Sequence, residues 1–459
     1  MTDVLVEASD RLVIPVHAVQ EAGLEAFLKE ASPFINAFVG LNEFKAKSGQ
    51  VLMVPNDQGR ADQVLLGLGT DPKAQTFRGL PAKLPPGDYL VATAPPELSR
   101  EQIALAFALG SYKFDRYKTR GAERPRLVCP DIDRAEVIQI ARACALARDM
   151  INTPANDLGP LQIETLCREV AHQQGANIGV ITGDALLEAN YPAVHAVGRA
   201  AAPDRAPRMI EVTWGNPKHP LIAIIGKGVT FDTGGLDIKP SAGMRQMKKD
   251  MGGAAHALAL GQMIMAAKLP VALVVLIPAV ENAISADAMR PGDILASRKG
   301  LTIEVGNTDA EGRLILADAL TRAGELEPVL TLDLATLTGA ARVALGPQLP
   351  PFYTDDEDLA AQIEVAMRHV DDPMWRLPLW KGYADSLDSD VADIKNDPDA
   401  WAQAGSVTAA LFLQRFAPKG PWAHFDIFAW NPRARPGWPA GAEAQAIRAL
   451  YQMIKGRFA

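Results

Sequence analysis

Beyond residue 152, short apolar runs alternate with stretches that have apolar residues at helical spacing. The apolar runs cover residues 178–181, 221–225, 271–277, 301–305 and 329–334, and the helix-like stretches cover residues 161–174, 253–267, 313–326 and 406–416. Such alternation favours a mostly parallel sheet with helices on both faces. We therefore predict a large α/β domain with a mixed, mostly parallel central sheet.

A smaller region precedes this domain. Up to about residue 130, apolar runs alternate with helix-like stretches such as 99–114, and a chain of 459 residues is too long for one ordinary core. Residues 133–151 have the pattern of a long helix with Asp133 as its N-cap. We predict a small N-terminal α/β domain over residues 1–132, a connecting helix over 133–151 and the larger domain over 152–459.

Composition excludes several classes of protein. The 48% hydrophobic and 22% charged content is that of a globular chain, and no apolar stretch approaches the roughly 18 residues of a membrane span. The start of the chain lacks the pattern of a secretory signal. Three cysteines without a CxxC spacing indicate reduced thiols. The net charge of −8 does not favour binding to nucleic acid or to an anionic membrane. We expect a cytoplasmic protein.

Two polar loops each follow an apolar run that is predicted to be a strand. One run ends at Gly226 and leads into residues 227–253, and the other ends at Gly306 and leads into residues 307–313. Open α/β sheets bind ligands at the carboxyl ends of their strands. We therefore expect the two loops to meet in one crevice.

The two loops contain four carboxylates, which are Asp232, Asp250, Asp309 and Glu311. Four negative charges in a partly dry crevice would repel one another strongly and would be costly to bury unpaired. Three basic side chains in the same loops offset part of this charge: Lys227, Lys239 and Arg313. Divalent cations that bridge the carboxylates would balance the rest and supply Lewis-acid catalysis. The pattern predicts a metal site with mainly oxygen ligands.

Each loop taken alone has a simpler interpretation, in which Asp232 and Asp250 cap turns or helices and Asp309 and Glu311 form an acidic first turn. Capping, however, does not require two lysines and an arginine beside four carboxylates. His256 follows the first loop and is interpreted as a packed histidine on a helix face. The spacings of a phosphate-binding loop and of a serine-hydrolase elbow are not matched.

Residues 307–314, Asn-Thr-Asp-Ala-Glu-Gly-Arg-Leu, resemble without a change the signature octapeptide of the leucyl aminopeptidase family, also called the cytosol aminopeptidases. Further blocks are similar in the same order: residues 226–236, 239–240, 250–255, 334–340 and 408–413. The resemblance covers most of residues 150–430. It implies a metallo-aminopeptidase with a small N-terminal domain and a larger catalytic domain.

The resemblance also implies a set of metal ligands. Lys227, Asp232, Asp250 and Glu311 would hold the tighter of two divalent ions, while Asp232, Asp309 and Glu311 would hold a more exchangeable one. The metals of the family are typically zinc, with manganese or magnesium able to occupy the exchangeable position. The cofactor that the resemblance implies is therefore a pair of divalent ions in each subunit.

Catalytic and substrate-binding roles follow from the same resemblance. Lys239 would stabilise the developing oxyanion, Arg313 would hold a bicarbonate that acts as general base, and Asp250 would bind the free amino group of the substrate. Four residues match positions that hold the substrate backbone or line the first side-chain pocket: Met247, Thr336, Leu337 and Gly339. An apolar pocket of this kind suits leucine or methionine at the N-terminus of a peptide.

Two stretches depart from the family pattern, and one of them, residues 395–405, lacks the glycine-rich run expected before the following helix. Family members usually read His-Leu-Asp-Ile-Ala-Gly, whereas residues 424–429 read His-Phe-Asp-Ile-Phe-Ala. In the family this stretch adjoins the substrate pocket, so we expect the pocket to differ there.

The resemblance implies a homohexamer that acts on peptides with a free N-terminus. Two other functions stay open. A DNA-binding regulator that shares the fold would need a basic groove, which the net charge of −8 does not favour. A hydrolase of dipeptides or of non-peptide amides would keep the metal site and change only the pocket.

Overall fold

The computed structural model describes residues 4–118, 123–398 and 403–459. The chain forms two compact units, of which the first consists of Met1–Ala145 and Pro432–Ala440 and the second of Leu146–Asn431 and Gly441–Ala459. The inclusion of Pro432–Ala440 in the first unit was not predicted from the sequence. The domain bounds 1–132, 133–151 and 152–459 stay a prediction.

The first unit is an α/β unit with one sheet. Its strands are β1 (Leu5–Val6), β2 (Val13–Gln20), β3 (Val51–Pro55), β4 (Ala61–Gly69), β5 (Gly87–Thr93) and β6 (Pro125–Val128), and its helices are α1 (Leu24–Glu30), α2 (Pro33–Leu41) and α3 (Arg100–Gly110). The strand order is β1-β6-β5-β2-β4-β3, and every pairing is parallel except that of β3 with β4. The predicted N-terminal α/β domain is confirmed.

A long helix, α4 (Arg134–Asn152), follows β6 and contributes residues to both units. The amide of Glu136 donates to Asp133 Oδ1 at 3.2 Å, which is the N-cap contact that the sequence predicted.

The helices of the second unit are α5 (Pro160–Gln174), α6 (Ala185–Glu188), α7 (Pro192–Gly198), α8 (Ser241–Met244), α9 (Gly252–Ala266), α10 (Glu311–Glu325), α11 (Gly339–Leu345), α12 (Glu357–His369), α13 (Gly405–Gln414) and α14 (Ile447–Phe458). Its strands are β7 (Asn177–Thr182), β8 (Arg208–Trp214), β9 (Leu221–Gly226), β10 (Gly228–Asp232), β11 (Ala272–Asn282), β12 (Ile294–Ala296), β13 (Thr302–Glu304), β14 (Leu330–Ala335), β15 (Pro351–Tyr353), β16 (Trp375–Arg376), β17 (Ile394–Lys395), β18 (Trp422–Asp426), β19 (Trp430–Asn431) and β20 (Gly441–Ala442).

The central sheet of the second unit has the order β16-β15-β18-β14-β9-β11-β8-β7, with β10 added beside β11. Strands β18, β14, β9 and β11 run parallel, whereas β8 and β7 on one side and β15 on the other introduce antiparallel pairs. The predicted mixed, mostly parallel sheet is confirmed. Near-continuous burial of β9, β11 and β14 agrees with a sheet that is covered on both faces.

Helices α9 and α10 cover opposite faces of this sheet. A Cβ on Gly261 of α9 would lie 2.8 Å from Val275 of β11. The buried residues of α10 instead share a core with Val274 and Leu276, whose side chains point to the opposite face of the sheet from that of Val275. At the start of α9 the approach is closer still. A Cβ on Gly253 would lie 2.1 Å from the carbonyl oxygen of Leu334, so only glycine lets this helix begin against β14.

One expectation about the sheet is wrong. Residues 301–305 were expected to supply a parallel strand of the central sheet, but β13 lies in a separate sheet between β12 and β17. Strand β13 is short, and Thr302 and Glu304 on either side of Ile303 are only half-buried. Alternation of this kind suits a strand with one wet face rather than a strand covered on both faces. The second polar loop therefore starts outside the central sheet.

Candidate active site

The structure nevertheless brings the two polar loops together. Asp232 ends β10, while Asp309 and Glu311 lie at the start of α10, and one carboxylate oxygen from each of the three lies within 4.8 Å of the others. Glu311 and Asp232 are buried and Asp309 is half-buried. This cluster has the composition and the spacing of a site for a hard cation.

Asp250 joins the cluster through a lysine. Lys227 Nζ lies 2.8 Å from Asp250 Oδ2 and 3.0 Å from Glu311 Oε1. Lys227 lies directly after β9. A Cβ on Gly312 would lie 2.5 Å from Cε of Lys227, so the glycine makes room for the lysine side chain. The fourth carboxylate is thus held at the buried side of the same crevice.

A second lysine spans the more open side. Lys239 Nζ lies 2.7 Å from Asp232 Oδ2 and also pairs with Asp309. Lys227 and Lys239 are therefore the two ammonium groups paired with four carboxylates, which leaves an excess of negative charge in a largely dry crevice.

The excess of charge perturbs the carboxyl groups. Burial and then the charge of Asp232 raise the pKa of Glu311 to about 8, and the same two causes raise the pKa of Asp309 to about 6. Burial by itself would lower the pKa of Lys227, but Asp250 and Glu311 outweigh it and the pKa is raised. Bound cations would favour the ionised carboxylates instead.

Several oxygens of the cluster lack a hydrogen bond. In the part of the chain that the structure describes, buried oxygens without a well-aligned donor include both oxygens of Glu311, Oδ2 of Asp250 and Oδ1 of Asp309. Three of these oxygens lie beside a lysine at ion-pair distance. Buried carboxylate oxygens with so few well-aligned donors are uncommon in native proteins, so the cluster fits divalent cations.

Neighbouring polar groups fix the orientation of Asp232. Its Oδ1 accepts from the amide of Gly234 and from Asn282 Nδ2, both at 2.8 Å, and Asn282 Nδ2 also donates to the carbonyl oxygen of Thr308. Asn282 thereby ties the first loop to the second. Asn282 was not predicted from the sequence as a site residue, although its position at the carboxyl end of β11 was the available signal.

A second tie between the loops involves Asp237, which the sequence analysis also missed. Its Oδ2 accepts from the amide of Thr308 at 2.8 Å, and the amide of Asp237 donates to Thr308 Oγ1 at 2.8 Å. These two contacts join the first loop to the second, although β13 lies outside the central sheet.

Arg313 is buried in the first turn of α10. Its Nη1 donates to the carbonyl oxygen of Asn396 at 2.6 Å, and its Nε is buried without a hydrogen-bond partner among the described residues. Asn396 in turn holds the second loop, because its Oδ1 accepts from the amide of Gly306 at 2.8 Å. A guanidinium with a free N–H beside a charged crevice is suited to hold a small anion.

The predicted substrate-binding residues lie on two segments that hydrogen-bond to Asp250, one containing Met247 and the other beginning at Thr336. Thr336 Oγ1 donates to Asp250 Oδ1 at 2.9 Å, and the amide of Leu337 donates to Asp426 Oδ1 at 3.1 Å. Gly339 begins α11, and Met247 is linked to the cluster through its carbonyl oxygen, which accepts from the amide of Asp250 at 3.2 Å. The structure thus brings all four near Asp250, or onto the segment that Thr336 begins.

His256 is not part of the cluster. Its Nδ1 lies 2.6 Å from the carbonyl oxygen of Gly252, and its Nε2 accepts from the amide of Gln445 at 2.9 Å. Burial lowers the pKa of His256 to about 4, so the ring is neutral at neutral pH. The sequence-based interpretation as a packed histidine agrees with these contacts.

The cysteines and the membrane expectation also have clear outcomes. Cys129, Cys144 and Cys167 are buried and form no disulfide, in agreement with reduced thiols. Among the described residues, no helix combines the length and the apolar character needed to cross a bilayer.

Fold and site together define an α/β protein with a buried acidic crevice that fits divalent cations. The model of the cytosol aminopeptidase family catalytic domain matches residues 145–451, and that of the M17 aminopeptidase N-terminal domain matches residues 14–130. The chain belongs to this family and is an aminopeptidase of the M17 type. The resemblance noted in the sequence is confirmed.

Individual relatives agree with this assignment. A probable cytosol aminopeptidase of Syntrophotalea carbinolica is 41% identical over 366 residues, which cover 76% of this chain and 73% of that protein. The crystal structure of the cytosol aminopeptidase of Coxiella burnetii is similar over 100% of both chains, with 42% identity and a TM-score of 0.94. A bottromycin maturation enzyme in complex with Mn is 33% identical, with 97% and 99% of the two chains covered and a TM-score of 0.88.

Proposed function

We propose that the chain is a dinuclear metal-dependent aminopeptidase that releases N-terminal amino acids, leucine-like residues preferred, from peptides. The observation that carries this proposal is the set of four carboxylates and two lysines with several unsatisfied buried oxygens. A purely structural network would be expected to satisfy those oxygens by hydrogen bonds. The Mn complex of the similar maturation enzyme adds support for divalent ions.

The ligand sets that we propose are those implied by the family resemblance. Lys227, Asp232, Asp250 and Glu311 would hold the tighter ion, and Asp232, Asp309 and Glu311 the exchangeable one. Lys227 must be neutral to act as a ligand, and neighbouring dications enforce this by lowering its pKa. We propose zinc or manganese as the metals, with magnesium as an alternative at the exchangeable position.

Bound ions would supply Lewis-acid activation of water and of the peptide carbonyl. Asp250, which is buried at the inner end of the crevice, would receive the free amino group of the substrate. Lys239 is partly open to solvent and carries an ammonium whose pKa is raised by Asp232, Glu311 and Asp309, against the effect of burial. Its charge would stabilise the negative charge that develops on the carbonyl oxygen.

Arg313 would hold a bicarbonate anion close to the cluster. Its free Nε–H supplies a donor, while Nη1 stays fixed on the carbonyl oxygen of Asn396. An anion held in this way would accept the proton of the attacking water, which is the part of a general base.

Met247, Thr336, Leu337 and Gly339 would bind the substrate backbone and line the pocket for its first side chain. Residues 424–429, which depart from the family pattern, lie close to this region. Lys249 Nζ is 4.7 Å from the ring centre of Phe428, and Arg342 Cζ is 5.2 Å from it. By similarity to proteins named cytosol aminopeptidases we also propose a cytoplasmic location, and from the family resemblance a homohexamer.

A comparison of leucyl-amide with N-acetyl-leucyl-amide tests the proposed role of the amino group. The free substrate should be cleaved and the acetylated one should not, because the lone pair of an acetylated nitrogen is delocalised into the amide carbonyl, so the nitrogen can neither ligate a metal nor carry the charge that Asp250 would bind. Comparable hydrolysis of both substrates would end the assignment as an aminopeptidase with this mechanism.

A further inference from the structure

The segment from Thr336 to Gly339 is fixed to the carboxylate cluster at its first residue. Lys227 Nζ donates to the carbonyl oxygen of Thr336 at 3.1 Å, and Thr336 Oγ1 donates to the carbonyl oxygen of Asp250 at 3.0 Å as well as to its carboxylate. This end of the segment therefore takes its position from the residues proposed to hold metal.

The next two residues are fixed by a different carboxylate, that of Asp426. Asp426 Oδ1 accepts from the amides of Leu337 and Thr338, both at 3.1 Å. Its Oδ2 accepts from Thr338 Oγ1 at 2.6 Å and from Ser406 Oγ at 2.9 Å. Asp426 is 2% exposed and ends β18, where it pairs in register with Ala335 of β14. Three of its four donors belong to the segment.

The support behind Asp426 is rigid. Tyr353 Oη donates to Ser406 Oγ at 2.7 Å, and the Tyr353 ring stacks on His424 with 5.9 Å between ring centroids. Thr338 passes the constraint on to α11, because its Oγ1 accepts from the amide of Ala341 at 3.1 Å as the N-cap of that helix. Leu337, Thr338 and the start of α11 cannot shift without loss of buried hydrogen bonds.

We propose that Asp426 is a positioning residue that sets the distance between the substrate-binding segment and the carboxylate cluster, and thereby sets KM and the selectivity for the first side chain. It acts through Leu337 and Thr338 and does not touch the substrate. The inference rests on the proposed function, which assigns substrate binding to Thr336, Leu337 and Gly339.

The neighbouring strand offers a matched control. Asp333 of β14 is fully buried, with its Oδ1 2.5 Å from His424 Nδ1 and its Oδ2 2.8 Å from Trp422 Nε1, which donates to it. Within the described part of the chain, these two partners are residues of β18 and not members of the segment. Asp333→Asn therefore changes a buried carboxylate of the same sheet without removing a hydrogen bond of Asp426 or of the segment.

The test compares Asp426→Ala, Asp426→Asn and Asp333→Asn on leucyl-, methionyl- and alanyl-amides, with bound metal measured in each preparation. Asp426→Ala leaves two amides without an acceptor and should raise KM for the leucyl substrate by roughly tenfold, the scale of one lost buried hydrogen bond. The leucyl-to-alanyl ratio of kcat/KM should fall, and the metal content should stay at the wild-type level.

Asp426→Asn should restore most of the wild-type KM. Its Oδ1 can still accept from both amides, and its Nδ2 can donate to the hydroxyls of Thr338 and Ser406. A merely structural role would instead lower kcat by the same factor on every substrate and leave KM and the selectivity ratio unchanged. That result, or an equal change of selectivity in Asp333→Asn, would overturn the proposal.

Should Asp426→Ala fail to fold, Ser406→Ala removes one donor and leaves the segment's own hydrogen bonds in place. We then expect KM to rise by roughly twofold to threefold with the same direction of selectivity, on the scale of a partial hydrogen-bond loss. An unchanged KM would contradict the proposal. A wild-type protein that stays active after chelation is a separate outcome. It would contradict the proposed function, and it is measured by chelation rather than by KM.

Discussion

Two groups of buried carboxylates in the second unit differ in how their oxygens are satisfied. Both oxygens of Glu311 are buried without a well-aligned hydrogen bond, although Lys227 lies 3.0 Å from one of them. Both oxygens of Asp426 accept two hydrogen bonds each. The first arrangement retains acceptor capacity for a ligand and the second has none left. The difference separates residues that bind from residues that hold the binding residues in place.

The same contrast recurs along a single helix. Asp318 lies seven residues after Glu311 on α10 and is also fully buried, but it accepts from the amides of Ala193, Val194 and Arg298. Sequence position and burial do not distinguish Glu311 from Asp318. Their hydrogen-bond partners do, so the contrast can be tested on two variants of one helix.

The largest effect is expected for Glu311→Gln. The amide removes a charge from the cluster and cannot bridge two cations, so kcat/KM should fall by roughly 10³-fold or more, beyond the usual cost of one preorganised electrostatic group. Metal content, measured by inductively coupled plasma mass spectrometry, should fall below the wild-type value. Asp318→Asn should lower thermal stability but keep its metal. Wild-type metal in Glu311→Gln would remove the distinction between the two carboxylates.

The next largest effect is expected for Arg313→Ala. The substitution removes the proposed anion site and leaves the carboxylates intact, so kcat should fall by roughly 10² to 10⁴, the usual worth of a positioned general base. Metal content should not change. Bicarbonate should stimulate the wild type more than the variant, and steady-state rates in bicarbonate-free and bicarbonate-containing buffer measure this. A near-normal kcat without bicarbonate would show that Arg313 has no such role.

The smallest effect concerns His256, whose two ring nitrogens are both satisfied. Its pKa is lowered to about 4 from the ordinary value of 6.5, so the folded state prefers the neutral ring. The stability from this preference is fully present above pH 6.5 and is lost as the pH falls towards 4, by roughly 3 kcal/mol at 1.36 kcal/mol per pKa unit.

Thermal unfolding of the wild type and of His256→Gln between pH 7 and pH 4 measures this loss. The variant cannot gain a proton at this position, so its melting temperature should depend less on pH. Equal slopes for the two proteins would show that His256 does not titrate in this window. Metal content should be unaffected in the variant, because the ring contacts Gly252 and Gln445 rather than the cluster.

Much of the candidate site was predictable because the types and spacing of its residues indicate the chemistry. Four carboxylates with two lysines in two loops already implied a cation site, and the structure brings those side chains together. Periodicity likewise predicted β9, β11 and β14 and the helices α9 and α10, since each is long or fully apolar.

The supporting residues were not predictable in the same way. Asn282, Asp237 and Asp426 act through contacts with residues distant in the sequence, and a single sequence carries no record of such pairs. The placement of β13 failed for a related reason. A run of three strand residues does not specify which partner strands it will find.

Residues 424–429, which depart from the family pattern, contain a strained backbone conformation that the sequence alone could not reveal. Ala429 stands where the family usually has glycine, and its φ is 59°, in the left-handed region that disfavours a side chain. Its amide is held by Gln445 Oε1 at 2.8 Å, and the amide of Phe428 by the same oxygen at 3.1 Å. These bonds maintain the strained turn, and Gln445 is itself bound by His256.

The most direct test of the central claim is a metal titration of the protein after exhaustive chelation, with peptidase activity on leucyl-amide measured at each addition. The unsatisfied oxygens of the cluster predict that the chelated protein is inactive and that activity returns with zinc or manganese up to two equivalents per chain. Full activity in the chelated protein, with bound metal well below one equivalent, would contradict the claim that these carboxylates form a two-metal centre.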